Sequence, residues 1–206
     1  MKEKLQQLNE NYCVAGWIFL LLMPFLKAYL PNPWGDENGV VENLQMLWLV
    51  FGGLCCYQMA RKKDLPNWGG NPKALWYSGA IFFVLLIGRE LSWGRALFMD
   101  VNGHMIQWED MGFWGIIAHP FIGCLIFLML YLLWRSKFWI FIFRMRKNFP
   151  YSELCLFFIF VFSQYVAEHL HCSFWDGELA EELAETGAYI VMEWLTRKIA
   201  ADFMRG

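Results

Sequence analysis

At 206 residues, 58% of them hydrophobic and 19% aromatic, the chain is too apolar for an ordinary soluble domain of its size. Its 17 basic and 19 acidic residues leave a net charge of −2, which provides no electrostatic footprint for nucleic acid. Cys13, Cys55, Cys56, Cys124 and Cys155 fall inside apolar runs and only Cys172 lies toward a polar surface, so no disulfide framework is expected.

A hydrocarbon core about 30 Å thick takes roughly 20 mostly apolar residues per helix. In chain order, the stretches that meet this requirement are Tyr12–Leu30, Val40–Ala60, Ala74–Leu91, Phe113–Trp134 and Ser152–Leu170. Another, Glu178–Ile199, is more polar and needs helical neighbours to cover its acids. A competing reading makes it a solvated amphipathic helix lying flat outside the bilayer. The first stretch ends Phe-Leu-Lys-Ala-Tyr-Leu, has no small-x-small cleavage pattern, and is expected to remain as a span. Between two basic clusters, Phe138–Phe143 reads as an interfacial segment on the inner leaflet. Trp17, Trp34, Trp48, Trp68, Trp76, Trp134, Trp139 and Trp194 fall near the proposed ends, where indoles favour the headgroup zone. The expectation is an all-α, polytopic membrane bundle of about six transmembrane helices, built as a single domain over residues 1–206.

Basic residues set the orientation. One set of connections carries Lys2, Lys4, Arg61, Lys62, Lys63, Lys73, Arg135, Lys137, Arg144, Arg146, Lys147, Arg197, Lys198 and Arg205. The opposite set has Lys27, Arg89 and Arg95, together with most of the acids. Both chain ends are therefore expected in the cytoplasm. The acids gather on the outer (periplasmic) side, in what reads as a bacterial inner membrane protein surrounded by lipid.

Ionisable residues near the outer ends of the helices are the candidates for function. Glu42 and Gln45 share a face of the second helix, just after the turn-like Asp36–Gly39. The third helix ends in Gly88–Arg95, where Arg89 and Ser92 share a face beside Glu90 and Trp93. Arg89 suits a bidentate contact to a buried glutamate, either at a reaction centre or as an ion pair locking helices three and six. His119 precedes Pro120, which frees a carbonyl one turn earlier. As a lone histidine it is either a ligand or a hydrogen-bonded structural residue, whereas His104 in the outer loop reads as solvated. On the fifth helix, Gln164, Glu168 and His171 share one face, and Tyr165, His169 and Cys172 the next. The Glu168-x-x-His171 spacing is that by which carboxylate-bridged bundles hold metal, although those bundles use two such motifs. On the last helix, Glu178, Glu182, Glu185, Tyr189, Glu193 and Thr196 make one stripe, flanked by Glu181. Leu179, Ala180, Leu183, Ala184, Gly187 and Ala188 permit close packing beside it.

His119, Glu168, His169, His171, Glu182 and Glu185 are thus the candidate ligands of one divalent transition metal; mixed nitrogen and oxygen donors suit zinc, iron or manganese. A shared-proton network is the alternative way to relieve their mutual repulsion.

The order of these clusters resembles an uncharacterised family of small bacterial polytopic membrane proteins. Its members have a Glu-Asp-Gly-x-x-Glu-Trp-Leu-like start to the second helix, here Asp36–Gln45, and a Glu-Glu-x-Ser-Trp-Gly-Gln-like signature, here Arg89–Arg95. A Gln-x-Glu element (Gln107–Glu109) and a late Glu-Glu-x-x-Glu (Glu181–Glu185) follow. The resemblance spans roughly residues 36–185 and implies a common outer site. Arg89 stands where the family has an acid and Arg95 where it has an amide, which argues against a metal role there. The residue types of Ser92, His119, His169 and His171 are also similar to those of alkaline-ceramidase and progestin-receptor type membrane hydrolases, which use Ser, Asp and three His around zinc.

Three functions compete. In a metal-dependent hydrolase or transferase acting on a lipid-linked or amide substrate, bound water would be acidified by the metal. Glu182 or Glu185 would be the general base, and Ser92 or Arg89, beside Glu90, would hold the oxyanion. In an accessory or assembly subunit, the acids would dock a membrane protein partner. In a proton-coupled carrier, the stripe of the last helix would be the path, with Glu193 and Thr196 continuing it inward.

Overall fold

A computed structural model describes residues 2–35, 39–66, 69–97, 106–145, 149–169, 175 and 177–204; the side chains of residues 2–12, 96–97 and 144–145 are not described. The fold is all-α. Among the described residues the helices are α1 (Lys2–Tyr29), α2 (Val40–Arg61), α3 (Pro72–Glu90), α4 (Phe113–Ser136), α5 (Phe138–Met145), α6 (Tyr151–His169) and α7 (Glu178–Phe203). Each apolar stretch expected from the sequence lies largely within one of these helices, and the interfacial segment became the short α5.

Local chemistry explains several boundaries. The carbonyl oxygen of the Asn71 side chain accepts the Ala74 N–H at 3.1 Å, and Pro72 follows at the first helical position, which starts α3. Lys137, in the left-handed region at φ 53°, ends α4 and allows α5 to begin in a new direction. Pro24 and Pro120 sit inside α1 and α4 without ending them.

The chain divides into two compact units. The first holds residues 1–48 and 150–201, the second 49–149 and 202–206. In the first unit, α1 and α6 run parallel: Cys13 meets Ser152 at 3.2 Å, Gly16 faces Leu156, and Phe19 meets Phe160 with ring centroids 6.0 Å apart. α7 runs antiparallel to both, with Gly187 against the Phe160 ring and Lys198 paired to Glu153. The core comprises Met23, Val41, Leu156, Phe160, Ala167, Trp175 and the small face of α7, namely Leu179, Ala180, Leu183, Ala184 and Ala188.

In the second unit, α2 and α3 are antiparallel, since Gly52 packs on Phe83 and Cys56 on Gly79. α3 packs in turn on α4. Phe141 of α5 meets Phe203 at 5.8 Å, leaving Ile142 and Phe143 exposed.

Two of the described helices, α2 and α4, are long and apolar enough to cross a membrane. α4 is exposed almost throughout: Phe113, Ile116 and Phe127 are each about three-quarters accessible, and only Ala118 and Ser136 are buried. α7 is its opposite. Glu185, Tyr189 and Glu193 are buried, so the helix is not a solvated one lying flat on a surface.

Candidate functional site

A cavity in the second unit is built by the end of α3. Leu91 donates its N–H to the Ile87 carbonyl, and the next three residues then turn left-handed: Ser92 at φ 45°, Trp93 at φ 55° and Gly94 at φ 95°. Glycine takes that conformation freely, whereas serine and tryptophan do so at a cost. The turn is held by Gly94 N–H to the Leu91 carbonyl at 2.8 Å, and by the Trp114 indole N–H to the Trp93 carbonyl at 2.8 Å.

The reversal folds the Trp93 ring back onto Gly88. A Cβ at residue 88 would stand 2.6 Å from that ring, so only glycine leaves room. Phe121 braces both indoles, its ring centroid 6.4 Å from Trp93 and 5.9 Å from Trp114. The opposite wall comes from the segment entering α4. Arg95 donates its Nε–H to the Ile106 carbonyl at 2.8 Å and places its guanidinium over the Trp108 ring at 5.3 Å. Between these walls lies a cavity of about 690 Å³ lined by Leu91, Trp93, Ile106, Met111 and Trp114, with Asp110 the one ionisable residue among the described lining. That volume falls within the range of pockets that hold small organic ligands, roughly 300–1,000 Å³.

The predicted site residues are divided between the two units. Ser92 lies in the turn, between the cavity-lining Leu91 and Trp93. Arg89 reaches its own neighbour Glu90 at 3.4 Å, with the arginine side chain half exposed and the glutamate buried. His119 is exposed and sits against the Trp108 ring at 4.9 Å.

In the first unit, Glu168 and His169 are exposed at the end of α6. The His169 ring stacks on Tyr165 at 4.6 Å, and its Nδ1 lies 3.5 Å from Glu168. His171, Cys172 and the turn residues Asp36 to Asn38 lie outside the described residues, as does His104. Among the described residues no three His, Cys, Asp or Glu side chains come together as metal ligands.

On α7 the carboxylates have partners of their own. Glu185 accepts the Tyr189 hydroxyl at 2.8 Å. Glu182 accepts the Gln45 amide twice, at its side chain (2.7 Å) and at its backbone carbonyl (3.0 Å). Further along the helix, Glu193 pairs with Arg197. Residues on one helical stripe therefore have separate partners, and the repulsion that would call for a shared ion is relieved pair by pair. Gln45, wholly buried, was seen in the sequence only as a neighbour of Glu42. Trp114, Gly88 and Asp110 were missed as site residues; the tryptophans near a Ser-Trp-Gly turn were the available signal.

No protein-family model, curated protein or solved structure matches the chain, so the family resemblance rests on the residue pattern alone.

Proposed function

We propose that the chain is a polytopic integral membrane protein of about six spans with both ends in the cytoplasm. It takes an apolar-bodied, lipid-like ligand from the outer leaflet of the plasma membrane into the Trp93 cavity. The observation that carries this reading is the cavity itself: an apolar, aromatic-walled space of about 690 Å³ formed by a left-handed turn at the end of a helix.

Two further features support the membrane setting. α4 exposes an apolar surface along its whole length, which water would not tolerate and acyl chains would. In each unit, taken separately, basic side chains collect at one end of the antiparallel helices. In the first these are Arg197 and Lys198, far along α7 from Glu178 and Glu182. In the second, Arg61, Lys73 and Arg135 lie at the helix ends remote from Ser92 and Asp110. That polarity follows the positive-inside pattern.

Turnover of the bound ligand is the second reading, favoured by the Ser92 hydroxyl in the turn between two lining residues. The test of the main reading uses purified protein in lipid nanodiscs and a neutral apolar probe such as triphenylmethanol, monitored by indole fluorescence. Binding that is lost in Trp93→Ala, with the helical circular dichroism unchanged, is expected. Equal binding by both proteins would overturn it. Thiol labelling of single-cysteine variants in intact cells tests the topology: a residue-110 cysteine should react from outside and a residue-62 cysteine only after permeabilisation.

A further inference from the structure

We infer that the ligand of the Trp93 cavity carries positive charge: an organic cation with an apolar body and an ammonium-type or other onium head. This rests on the ligand-binding reading above and adds the chemical class. Two observations point the same way. The walls present the indoles of Trp93 and Trp114, whose electron-rich faces attract a cation, most strongly where water is excluded. Among the described lining residues the one ionisable side chain is the Asp110 carboxylate, exposed at the rim on the short 3-10 turn Trp108–Met111 and without a partner among the described residues. An anionic head would meet that carboxylate, while a neutral ligand would leave it unused.

The neighbouring guanidinium does not reverse the sign. Arg95 is absent from the lining; its Nε–H is given to the Ile106 carbonyl and its charge rests over Trp108. Arg95 thus holds the outer wall in place, and Trp93, Trp114 and Asp110 face the ligand. The arrangement matches the general logic of aromatic sites for quaternary ammonium, with one carboxylate supplying the countercharge.

Tetraphenylphosphonium and tetraphenylborate test this directly, because they have nearly the same shape and opposite charge. Each is titrated against the intact protein in nanodiscs of an uncharged glycolipid, with empty discs subtracted for partition into lipid. The phosphonium is expected to bind about tenfold more tightly than the borate. In Asp110→Asn the preference should shrink to the share supplied by the indoles, while neutral triphenylmethanol still binds. Equal or tighter borate binding by the unaltered protein, or a preference undiminished in Asp110→Asn, overturns the inference. If triphenylmethanol binds and neither ion does, the charge assignment fails and the cavity reading stands. If none of the three binds, the cavity reading fails and this inference with it. Repeating the phosphonium titration in phosphatidylcholine discs identifies the source within the same chemistry. Weaker binding there means that a lipid headgroup ammonium competes for the site, and unchanged binding means a free organic cation; both support the onium class.

Discussion

α7 and α4 invert what a water-soluble protein does with its helices. α7 carries the acidic stripe, yet it buries Glu185, Tyr189 and Glu193 along with its small apolar face. α4, nearly free of charge until Arg135, exposes Phe113, Ile116, Phe127 and Trp134. In water the polar helix would be outside and the apolar one inside. The difference is what the proposed membrane setting calls for: acyl chains would cover α4, while the buried polar residues of α7 need partners within their own unit. The two units also part in what they hold. The first meets its buried carboxylates one by one, with an amide, a hydroxyl or a cation, and the second shapes an aromatic cavity.

The largest expected effect lies toward the C-terminal end of α7. Lys198→Met leaves the Glu153 carboxylate, whose side chain is 6% exposed, without its cation. Removing one member of a buried pair costs about 3–5 kcal/mol. The double variant with Glu153→Met should recover most of that loss, since an apolar pair of similar volume is often neutral. Guanidinium or thermal unfolding in detergent measures both. A mild effect of Lys198→Met would mean that this end of α7 is wet, weakening the contrast with α4.

The next effect breaks the comparison from the other side. Phe127→Arg places a charge near the middle of α4 on a ring that is 75% exposed. In lipid this costs about 2.5–3.5 kcal/mol on an insertion scale; in water it would be harmless. Membrane-inserted yield against total yield is the readout, and an unchanged ratio would assign the exposed face of α4 to water. Smaller again is Gly187→Val, which sets a branched side chain against the Phe160 ring. Overpacking of this kind costs about 1–3 kcal/mol and should lower the unfolding midpoint without altering cavity binding.

Much of the helical framework was legible because long apolar runs bounded by Gly, Pro and charge have few other solutions. The third apolar run was read from Ala74, and the helix begins just before it at Pro72, where Asn71 caps it. The candidate site was less legible. Helical spacing correctly put Glu182, Glu185, Tyr189 and Glu193 on one stripe, but spacing says nothing of the groups facing it. Gln45, 137 positions away in the chain, takes Glu182, and Tyr189 takes Glu185. The cavity was hidden for a different reason. It depends on three successive left-handed residues at 92 to 94, a backbone event that composition does not announce when only one of the three is glycine.

The smallest expected effect concerns the end of α6, where the sequence placed its metal-binding motif. His169 is exposed and held by stacking on Tyr165 and by proximity to Glu168, all within one stretch of helix. Such surface contacts are worth little, so His169→Ala should shift stability by less than about 0.5 kcal/mol. It should also leave ligand binding in the second unit unchanged, because nothing that lines the cavity comes from α6. Elemental analysis of the unaltered protein and this variant, purified without chelator, decides whether that indifference extends to metal. Stoichiometric zinc, iron or manganese that disappears with His169→Ala would make the first unit a metal centre. The acids of the first unit would then be a second functional site rather than a set of separately satisfied pairs, and the division of labour between the two units would have to be redrawn.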